Sequence, residues 1–382
     1  MPFQPAHQSV WEKESFYRKR DVIIIGAGLS GLWAAYHLKK KQPSVSVAIL
    51  ERGLIPAGAS TRNAGFACFG SLTELMHDRR TMSDDEMVLL VEMRNRGLGI
   101  LTKVLKPADI DFELCGGYEL ITKADDISTA QLTDEMITLN KMLRSTIGAA
   151  DVFKMADDKI SSFRFGQLRH LVENRYEGYL HSGKLCEELT RVVQQMGVTI
   201  VTGINVEAQT KLNDHILISC KDNVNFKASR VLICTNAFAG TLLTGLDLVP
   251  ARGQVLLTEP IPGLHWRGTF HAERGYYYFR NLGDRILLGG ARNTDFAGEQ
   301  TVEMTTSINI QEALEQFLQT YIVPDRKIAI TDRWSGIMAM GNNKHPIITE
   351  ISPDVFCCVR MSGMGVSLTP VTGEMAADLL LG

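Results

Sequence analysis

An α/β fold of two interleaved domains is predicted by three observations. Residues 22–25 are an unbroken aliphatic run, followed by Gly26, Gly28 and Gly31 in a G-x-G-x-x-G pattern and then a helical stretch over 32–41. A second apolar run, 45–50, ends on Glu51 and completes a βαβ unit. From Pro250 onward the chain becomes strand-rich, with period-2 segments joined by glycine turns, which reads as an antiparallel sheet.

Each part of the βαβ unit has a physical task. Gly26 makes the tight turn out of the strand. Gly28 lacks a Cβ and lets a pyrophosphate approach the backbone. Gly31 lets the helix pack closely on the sheet. Ala27, Leu29 and Ser30 complete the turn, and the helix start offers free N–H groups and a partial positive charge to a phosphate. Glu51, with Arg52 after it, stands where a carboxylate can accept both hydroxyls of an adenosine ribose. The small-residue stretch 53–67 is too long for a plain connector. Its small residues let backbone lie against a flat ligand, while Arg62 and Asn63 add a charge and an amide.

Composition excludes several function classes. The 382 residues carry a net charge of −3 and 45% hydrophobic residues, so no basic surplus calls for nucleic acid as a partner. The seven cysteines show no metal or redox spacing, and adjacent Cys357 and Cys358 read as reduced, packed thiols. Residues 1–20 are charged and lack the apolar core of a secretory signal, and the run 22–38 is too short and glycine-broken to span a membrane. A soluble, cytoplasmic protein with an N-terminal arm over 1–19 is the expectation.

Along the chain, Ser83 caps a helix over 83–106, with Asp84, Asp85 and Glu86 in its first turn. Residues 110–122 read as a hairpin around Gly116 and Gly117, and 134–147 as a helix. Helix 183–196 and strand 198–202 return the chain to the nucleotide domain. An antiparallel pair at 216–220 and 225–227 and a buried strand from 230 follow. Strands are expected at 253–259, 275–280, 285–289, 327–336 and 355–361, and helices at 306–321 and 370–381.

Five further motifs point to a family. They are Gly58-Ala59-Ser60-Thr61-Arg62-Asn63-Ala64-Gly65, Cys234-Thr235-Asn236-Ala237-Phe238, Pro250-Ala251-Arg252-Gly253-Gln254, Trp334-Ser335-Gly336-Ile337 and Ser362-Gly363-Met364-Gly365-Val366. In that order they resemble the FAD-dependent amine and amino-acid oxidoreductases, the family of D-amino-acid oxidase, glycine oxidase and sarcosine oxidase. The look is closest to the γ-glutamylputrescine oxidoreductase branch. The resemblance implies a Rossmann-like FAD-binding domain of glutathione-reductase type, interleaved with an antiparallel-sheet α+β substrate domain. The FAD-binding domain is expected over 20–82, 180–250 and 330–382, and the substrate domain over 83–179 and 251–329. It also implies that Ala59 to Phe66 run along the flavin side and that Val206 presents its backbone to the adenine. Thr235 and Asn236 would sit near the pyrophosphate. Gly336 and the turn of Ser362, Gly363, Met364, Gly365, Val366 and Ser367 would meet the flavin's pyrimidine edge.

The activity implied is oxidation of the C–N bond of an amine or N-substituted amino acid. A hydride passes to flavin N5 and the imine is hydrolysed, with oxygen or another acceptor taking the electrons. A flavin dehydrogenase of a 2-hydroxy acid or polyol, or a non-catalytic flavin-binding protein, are the alternatives. Three departures bear on this. No arginine follows Trp334-Ser335-Gly336 to grip a carboxylate; Arg333 precedes it, and Arg280 and Arg292 are the substitutes. Leu287 stands where sarcosine oxidase has an oxygen-activating lysine. No cysteine lies in 338–346 to tether a flavin, so FAD is expected to be noncovalent, and Met364 replaces a frequent histidine. Strand alternation groups Tyr276, Tyr278 and Arg280 on one face and Tyr277 and Phe279 on the other, and Tyr278 and Arg280 are expected toward substrate.

Overall fold

The computed structural model describes residues 8–382. The chain forms two compact units. One takes the chain up to Thr61, with Gly183–Pro250 and Met338–Gly382; the other takes Arg62–Ser182 and Ala251–Ile337.

The first unit is built on an eight-stranded sheet. Its main path runs Ile347–Ser352, Val355–Val359, Asn225–Ile233, Arg20–Ile25, Val47–Leu50, Thr199–Val201. Arg20–Ile25 is central and pairs in parallel with both neighbours, Ile24 opposite Leu232 and Ile49. A parallel strand covered on both faces must be aliphatic throughout, which is why 22–25 carries no polar residue. Ile23 and Ile25 join Val231, Ile233 and Val359 in one buried layer. Ile24 points the other way, toward Gly31 of the helix Leu29–Lys41.

Two expectations change in this unit. Asn225–Ile233 is a single strand, not a short pair followed by another strand. Its first half pairs antiparallel with Ile216–Cys220 and its second half joins the parallel sheet. The C-terminal helix starts at Gly365 rather than at Pro370, so Pro370 lies inside it. Of the expected N-terminal arm, residues 1–7 lie outside the described residues. Beyond them is a short exposed helix, Val10–Glu14, capped by Ser9, and Tyr17 stacks on Phe226 at 5.3 Å.

The second unit carries its own eight-stranded sheet. The order is Ile330–Met340, Val249–Thr258, Arg285–Gly290, Tyr277–Leu282, Thr269–Ala272, Gly117–Thr122, Leu168–Asn174, Phe153–Met155. Leu256, Phe270, Tyr277, Phe279 and Leu288 face one side and pack on the helix Ile308–Phe317. Phe270 and Phe279 stack at 4.7 Å, and Tyr277 and Phe317 at 4.2 Å. The opposite face has two parts. Ile121, Phe153 and Val172 pack with the helices Leu72–Asp78, Asp84–Val104 and Thr129–Ile147. Farther along the sheet, Val255, Leu287 and Tyr278 pack with Ala64, Phe66 and Trp334.

The hairpin expected over 110–122 does not form. Pro107–Ile110 is a short 3-10 turn, and Gly117–Thr122 is a wholly buried strand paired with Thr269–Ala272 and Leu168–Asn174. The Gly116-Gly117 pair signals close backbone approach there, not a reversal. Residues 62–82 and 330–337, expected with the nucleotide domain, pack in the second unit. Phe66–Ala67 pairs with Gly178–Tyr179, and Leu72 and Leu75 sit in the helical layer. Helix Asp84–Val104 runs unbroken through Gly97 and Gly99, held at its start by the Ser83–Glu86 capping box.

Helix Leu29–Lys41 and the C-terminal helix meet where Gly373 lies flush against Trp33. A Cβ on Gly373 would stand 2.7 Å from the Trp33 backbone carbon. Backbone cannot yield as a flexible side chain does, so Gly373→Ala should force the helices apart. The expected loss is about 1–3 kcal/mol, read from urea unfolding against wild type.

Candidate active site

In the first unit the glycine turn is set by contacts that exclude side chains. Gly26 has φ +105°, and a Cβ there would lie 2.9 Å from the Cys234 carbonyl oxygen. A Cβ on Gly31 would lie 2.0 Å from the Gly26 carbonyl oxygen. Helix and turn are therefore as close as backbone allows. Glu51 ties the turn to the end of the second strand. Its carboxylate accepts from the Ala27 N–H at 2.9 Å and the Gly53 N–H at 2.8 Å. Each carboxylate oxygen keeps a further lone pair for a ribose hydroxyl.

The helix start has no cap from its own N-cap residue, Gly28, and no acid in its first turn. Ser60 Oγ accepts from the Leu29 N–H at 2.9 Å, and a Cβ on Gly28 would meet that oxygen at 2.9 Å. Ser30, Gly31 and Leu29 thus sit at a positive, unneutralised helix end. Thr61 Oγ1 donates to the Pro56 carbonyl at 2.6 Å and holds the Ala59–Arg62 turn. Arg52 stacks over the Phe238 ring at 4.6 Å, which brings it to the Thr235–Asn236 turn. Asn236 is left-handed, with φ 48°, and its Oδ1 accepts from the Arg360 N–H at 3.1 Å. Val206 opens the strand Val206–Lys211 beside a bulge opposite Cys220.

A second open helix start lies in the same unit. Arg360, Ser362 and Gly363 all have positive φ, at 63°, 47° and 84°. Such clustered strain accompanies functional turns. It delivers the chain into Gly365–Leu381, whose N-cap Met364 bonds no helix N–H through its side chain and whose first turn has no acid. Gly365, Val366 and Ser367 form that first turn. Thr235 Oγ1 and Ser362 Oγ are buried with no hydrogen-bond partner. Two helix starts with no acid in their first turn, a carboxylate beside the glycine turn and two orphaned hydroxyls fit a phosphate-bearing dinucleotide such as FAD.

In the second unit the loop from Arg62 to Phe66 is pinned residue by residue. Arg62 Nη1 donates to the Ser335 carbonyl at 3.0 Å, and the Trp334 indole donates to the Arg62 carbonyl at 2.9 Å. Asn63 Oδ1 accepts from the Gly65 N–H at 2.9 Å and from Ser182 Oγ at 2.7 Å. Gly65 has φ +75°, and a Cβ there would strike the Leu180 carbonyl oxygen. Ala64 and Phe66 pack beside Tyr278, and Phe66 meets the Tyr278 ring edge-on at 5.7 Å. Gly336 is buried in the strand Ile330–Met340. Trp334 and Ser182 had no assigned role in the sequence reading; Ser182 carries no signal beyond opening a helix.

The three arginines considered for substrate are used differently. Arg280 is buried, with Nε donating to the Ala64 carbonyl at 2.7 Å and Nη2 to the Leu180 carbonyl at 3.1 Å, and its plane lies over Tyr179 at 4.6 Å. Burial pushes its guanidinium down to about 10, and its donors hold the loop rather than a ligand. Arg333 pairs with Glu315 at 2.6 Å on the helix side. Arg292 is half-buried and stacks on Phe296 at 4.8 Å, and its guanidinium has neither a hydrogen bond nor an ion pair among the described residues. The nearby carboxylate, Glu299, is already paired with Arg252 at 2.7 Å. Burial lowers the Arg292 pKa, but arginine stays charged at neutral pH.

Tyr278 shares its face with Leu287, the position where a lysine was sought, while Tyr277 and Phe279 face the aromatic core as alternation requires. Tyr276 leaves the expected set. It precedes the strand, packs on the aromatic core and meets Phe296 edge-on at 5.7 Å. Burial raises the Tyr278 hydroxyl to about 12, so it is a neutral donor.

All seven cysteines are free, and no helix among the described residues is long and apolar enough to cross a membrane. A family model described as FAD dependent oxidoreductase matches residues 21–379. The chain is 22% identical to a probable oxidoreductase OrdL of Haemophilus influenzae, over 95% of this chain and 83% of that protein. It is 23% identical to the gamma-glutamylputrescine oxidoreductase of Escherichia coli, over 95% and 84% of the two chains. The fold is similar to that of glycine oxidase from Geobacillus kaustophilus, with a TM-score of 0.75 at 20% identity over 95% of each chain.

Two substitutions separate the roles at the glycine turn. Ser60→Ala should lower stability by about 1 kcal/mol, read from thermal unfolding of the apoprotein, through loss of the helix cap. Gly31→Ala should give protein without bound flavin, read from visible absorbance after purification, because its Cβ collides with the Gly26 carbonyl. With the match covering both units, the chain belongs to the DAO family of FAD-dependent oxidoreductases.

Proposed function

We propose that this flavoenzyme oxidises the C–N bond of a small amine that also carries a carboxylate, an amino acid or N-substituted amino acid. The observation that carries the reading is Arg292, a half-buried guanidinium without a protein acceptor among the described residues. A desolvated cation with free donors favours a carboxylate, and the planar fork can bind one bidentately. Neutral Tyr278 adds a donor on the sheet face with Leu287. The names of the similar proteins, a gamma-glutamylputrescine oxidoreductase and a glycine oxidase, are of enzymes acting on an amine and an amino acid.

FAD, when bound, supplies the acceptor for the hydride that leaves the carbon beside the amine. Gly26 to Gly31, Glu51, Arg52, Thr235 and Asn236 would hold its ADP half. Val206 would present its backbone to the adenine, and Ala59 to Phe66, Gly336 and the 362–367 turn would meet the flavin. The open start of the helix Gly365–Leu381 would favour the negative charge gained on reduction. The protein's remaining work is positional: a gripped carboxylate fixes the donor carbon in place. Leu287 puts no cation on the Tyr278 face, so slow reaction with oxygen is expected, with another acceptor serving in the cell. Seven free cysteines fit a reducing, cytoplasmic setting.

An anaerobic panel of amines, amino acids and 2-hydroxy acids, followed by flavin bleaching, tests the donor class. Amino acids should bleach the flavin and hydroxy acids should not; the reverse pattern overturns the reading. Arg292→Met should cost about 2–3 kcal/mol, roughly 30- to 150-fold in kcat/KM, for the carboxylate-bearing donor. Decarboxylated analogues should be nearly unaffected, and Arg333→Met should leave both unchanged.

A further inference from the structure

Behind Phe66, in the second unit, lies a buried polar cluster outside the site described above. Glu177 is 1% exposed, Glu119 3%, Asn174 4% and His271 7%. They line a small cavity with Ser71 and Gly117, whose space for a water centre is about 10 Å³. That is close to the room one water requires.

The hydrogen bonding around the cavity is incomplete in a specific way. Glu119 is satisfied by Ser71 Oγ at 3.1 Å, the Thr73 N–H at 2.8 Å and the Thr73 hydroxyl. Glu177 Oε1 accepts only long bonds from the Phe69 and Gly70 N–H groups, at 3.3 and 3.4 Å. His271 Nε2 and Asn174 Nδ2 are buried with no partner. His271 Nε2 stands 3.8 Å from Glu177 Oε2, too far for a direct bond. A gap of that size between two polar atoms, with a cavity of water size beside it, is the signature of a bridging water. The His271 ring packs edge-on against Phe66 at 5.0 Å, and Phe66 in turn against Tyr278.

We infer that this cavity binds one water, shared by His271 Nε2, Glu177 Oε2 and Asn174 Nδ2, and that the bridged set is a positioning device for Phe66 and, through it, Tyr278. The functional meaning of Tyr278 rests on the reading above; the water site does not.

Charge at the site is consistent with a neutral set. The ionisable groups facing it are Glu74 from helix Leu72–Asp78, Arg94 from helix Asp84–Val104 and Cys68 from the preceding loop. Glu119 comes from the sheet, Glu177 from the turn after Leu168–Asn174, and His271 from Thr269–Ala272. Arg94 donates to the Phe69 carbonyl at 2.9 Å and reaches Glu74 at 3.4 Å, so this cation is shared. Burial raises Glu177 to about 8 and Glu119 to about 7, and lowers His271 to about 4. At neutral pH Glu177 holds its proton and His271 is uncharged. A carboxyl whose folded pKa lies above its unfolded value binds extra protons in the native state, so its contribution is lost as pH rises toward the folded pKa. His271 has the opposite sign, its effect confined to the range between about 4 and its ordinary value.

Three measurements on the full chain test this, and none needs substrate turnover. A high-resolution crystal structure should show one water within hydrogen-bond distance of His271 Nε2 and Glu177 Oε2. A dry cavity, or the two side chains in direct contact, overturns the proposal. Wild-type Tm should fall between about pH 6.5 and about pH 8.5, and Glu177→Gln should fall measurably less over that range. Equal slopes overturn the assignment of the proton. His271→Phe keeps a ring against Phe66 but removes the nitrogen. It should expel the water, shift Phe66 and lower Tm by about 3 °C or more. Retention of the Phe66 position and of wild-type Tm would reduce His271 to ordinary packing and overturn the positioning role. Should His271→Phe fail to fold, the wild-type crystal and the Glu177→Gln slope still decide. A protein that bound no FAD would sink the proposed function and leave these three results intact.

Discussion

The distance from Gly31 to the Gly26 carbonyl governs the first unit. A Cβ at position 31 would lie 2.0 Å from that oxygen, so the helix rests directly on the turn that precedes it. This closeness sets where the helix axis meets the sheet and where its free N–H groups point. Glu51 holds the turn from the other side through the Ala27 N–H, and Ser60 supplies the cap that Gly28 cannot. The same logic recurs at the C-terminal helix, where left-handed Arg360, Ser362 and Gly363 deliver an uncapped helix start. Both helices start with no acid in their first turn, and a ligand with phosphates and a reducible ring suits both.

Much of this was legible in the residues because it is local. The G-x-G-x-x-G turn, the acid closing the second strand and the Ser83–Glu86 cap each depend on neighbours a few positions away. Alternation along Tyr277–Leu282 also placed Tyr278 opposite Tyr277 and Phe279 without further information. What failed was nonlocal. Gly116-Gly117 has the composition of a turn, yet Gly117 is a strand residue because Glu177 and Thr269 crowd it from distant parts of the chain. Arg280 shared a face with Tyr278 on paper. The carbonyls of Ala64 and Leu180 that occupy it come from elsewhere in the chain. Arg292 became the better candidate only once the partners of its rivals were visible.

The buried acids show the same limit from another side. Glu119 and Glu177 sit in segments where a lone carboxylate would ordinarily face water. Glu119 sits on a strand paired with Leu168–Asn174 and Thr269–Ala272 and meets Ser71 and Thr73, while Glu177 meets the Phe69 and Gly70 N–H groups; no local pattern encodes these contacts. Desolvation then changes their chemistry, raising both carboxyls toward neutral pH, Glu177 to about 8 and Glu119 to about 7. The aromatic core on the other face of that sheet needs no such arrangement, since Phe270, Phe279 and Phe317 bring no polar atoms with them.

The placement of Arg20–Ile25 at the centre of its sheet bears on how the chain is made. This strand leaves the ribosome before one of its two parallel partners, Asn225–Ile233, and that strand in turn precedes its own partner Val355–Val359. The second unit's first segment, Arg62–Ser182, is synthesised in between. A growing chain therefore carries an aliphatic strand with one unpaired edge until Asn225–Ile233 emerges. Loop closure over such separations is slow, and nascent protein is exposed to mispairing until the last strands emerge. The nucleotide cradle, begun at Gly26, is complete only once the helix that starts at Gly365 has been made.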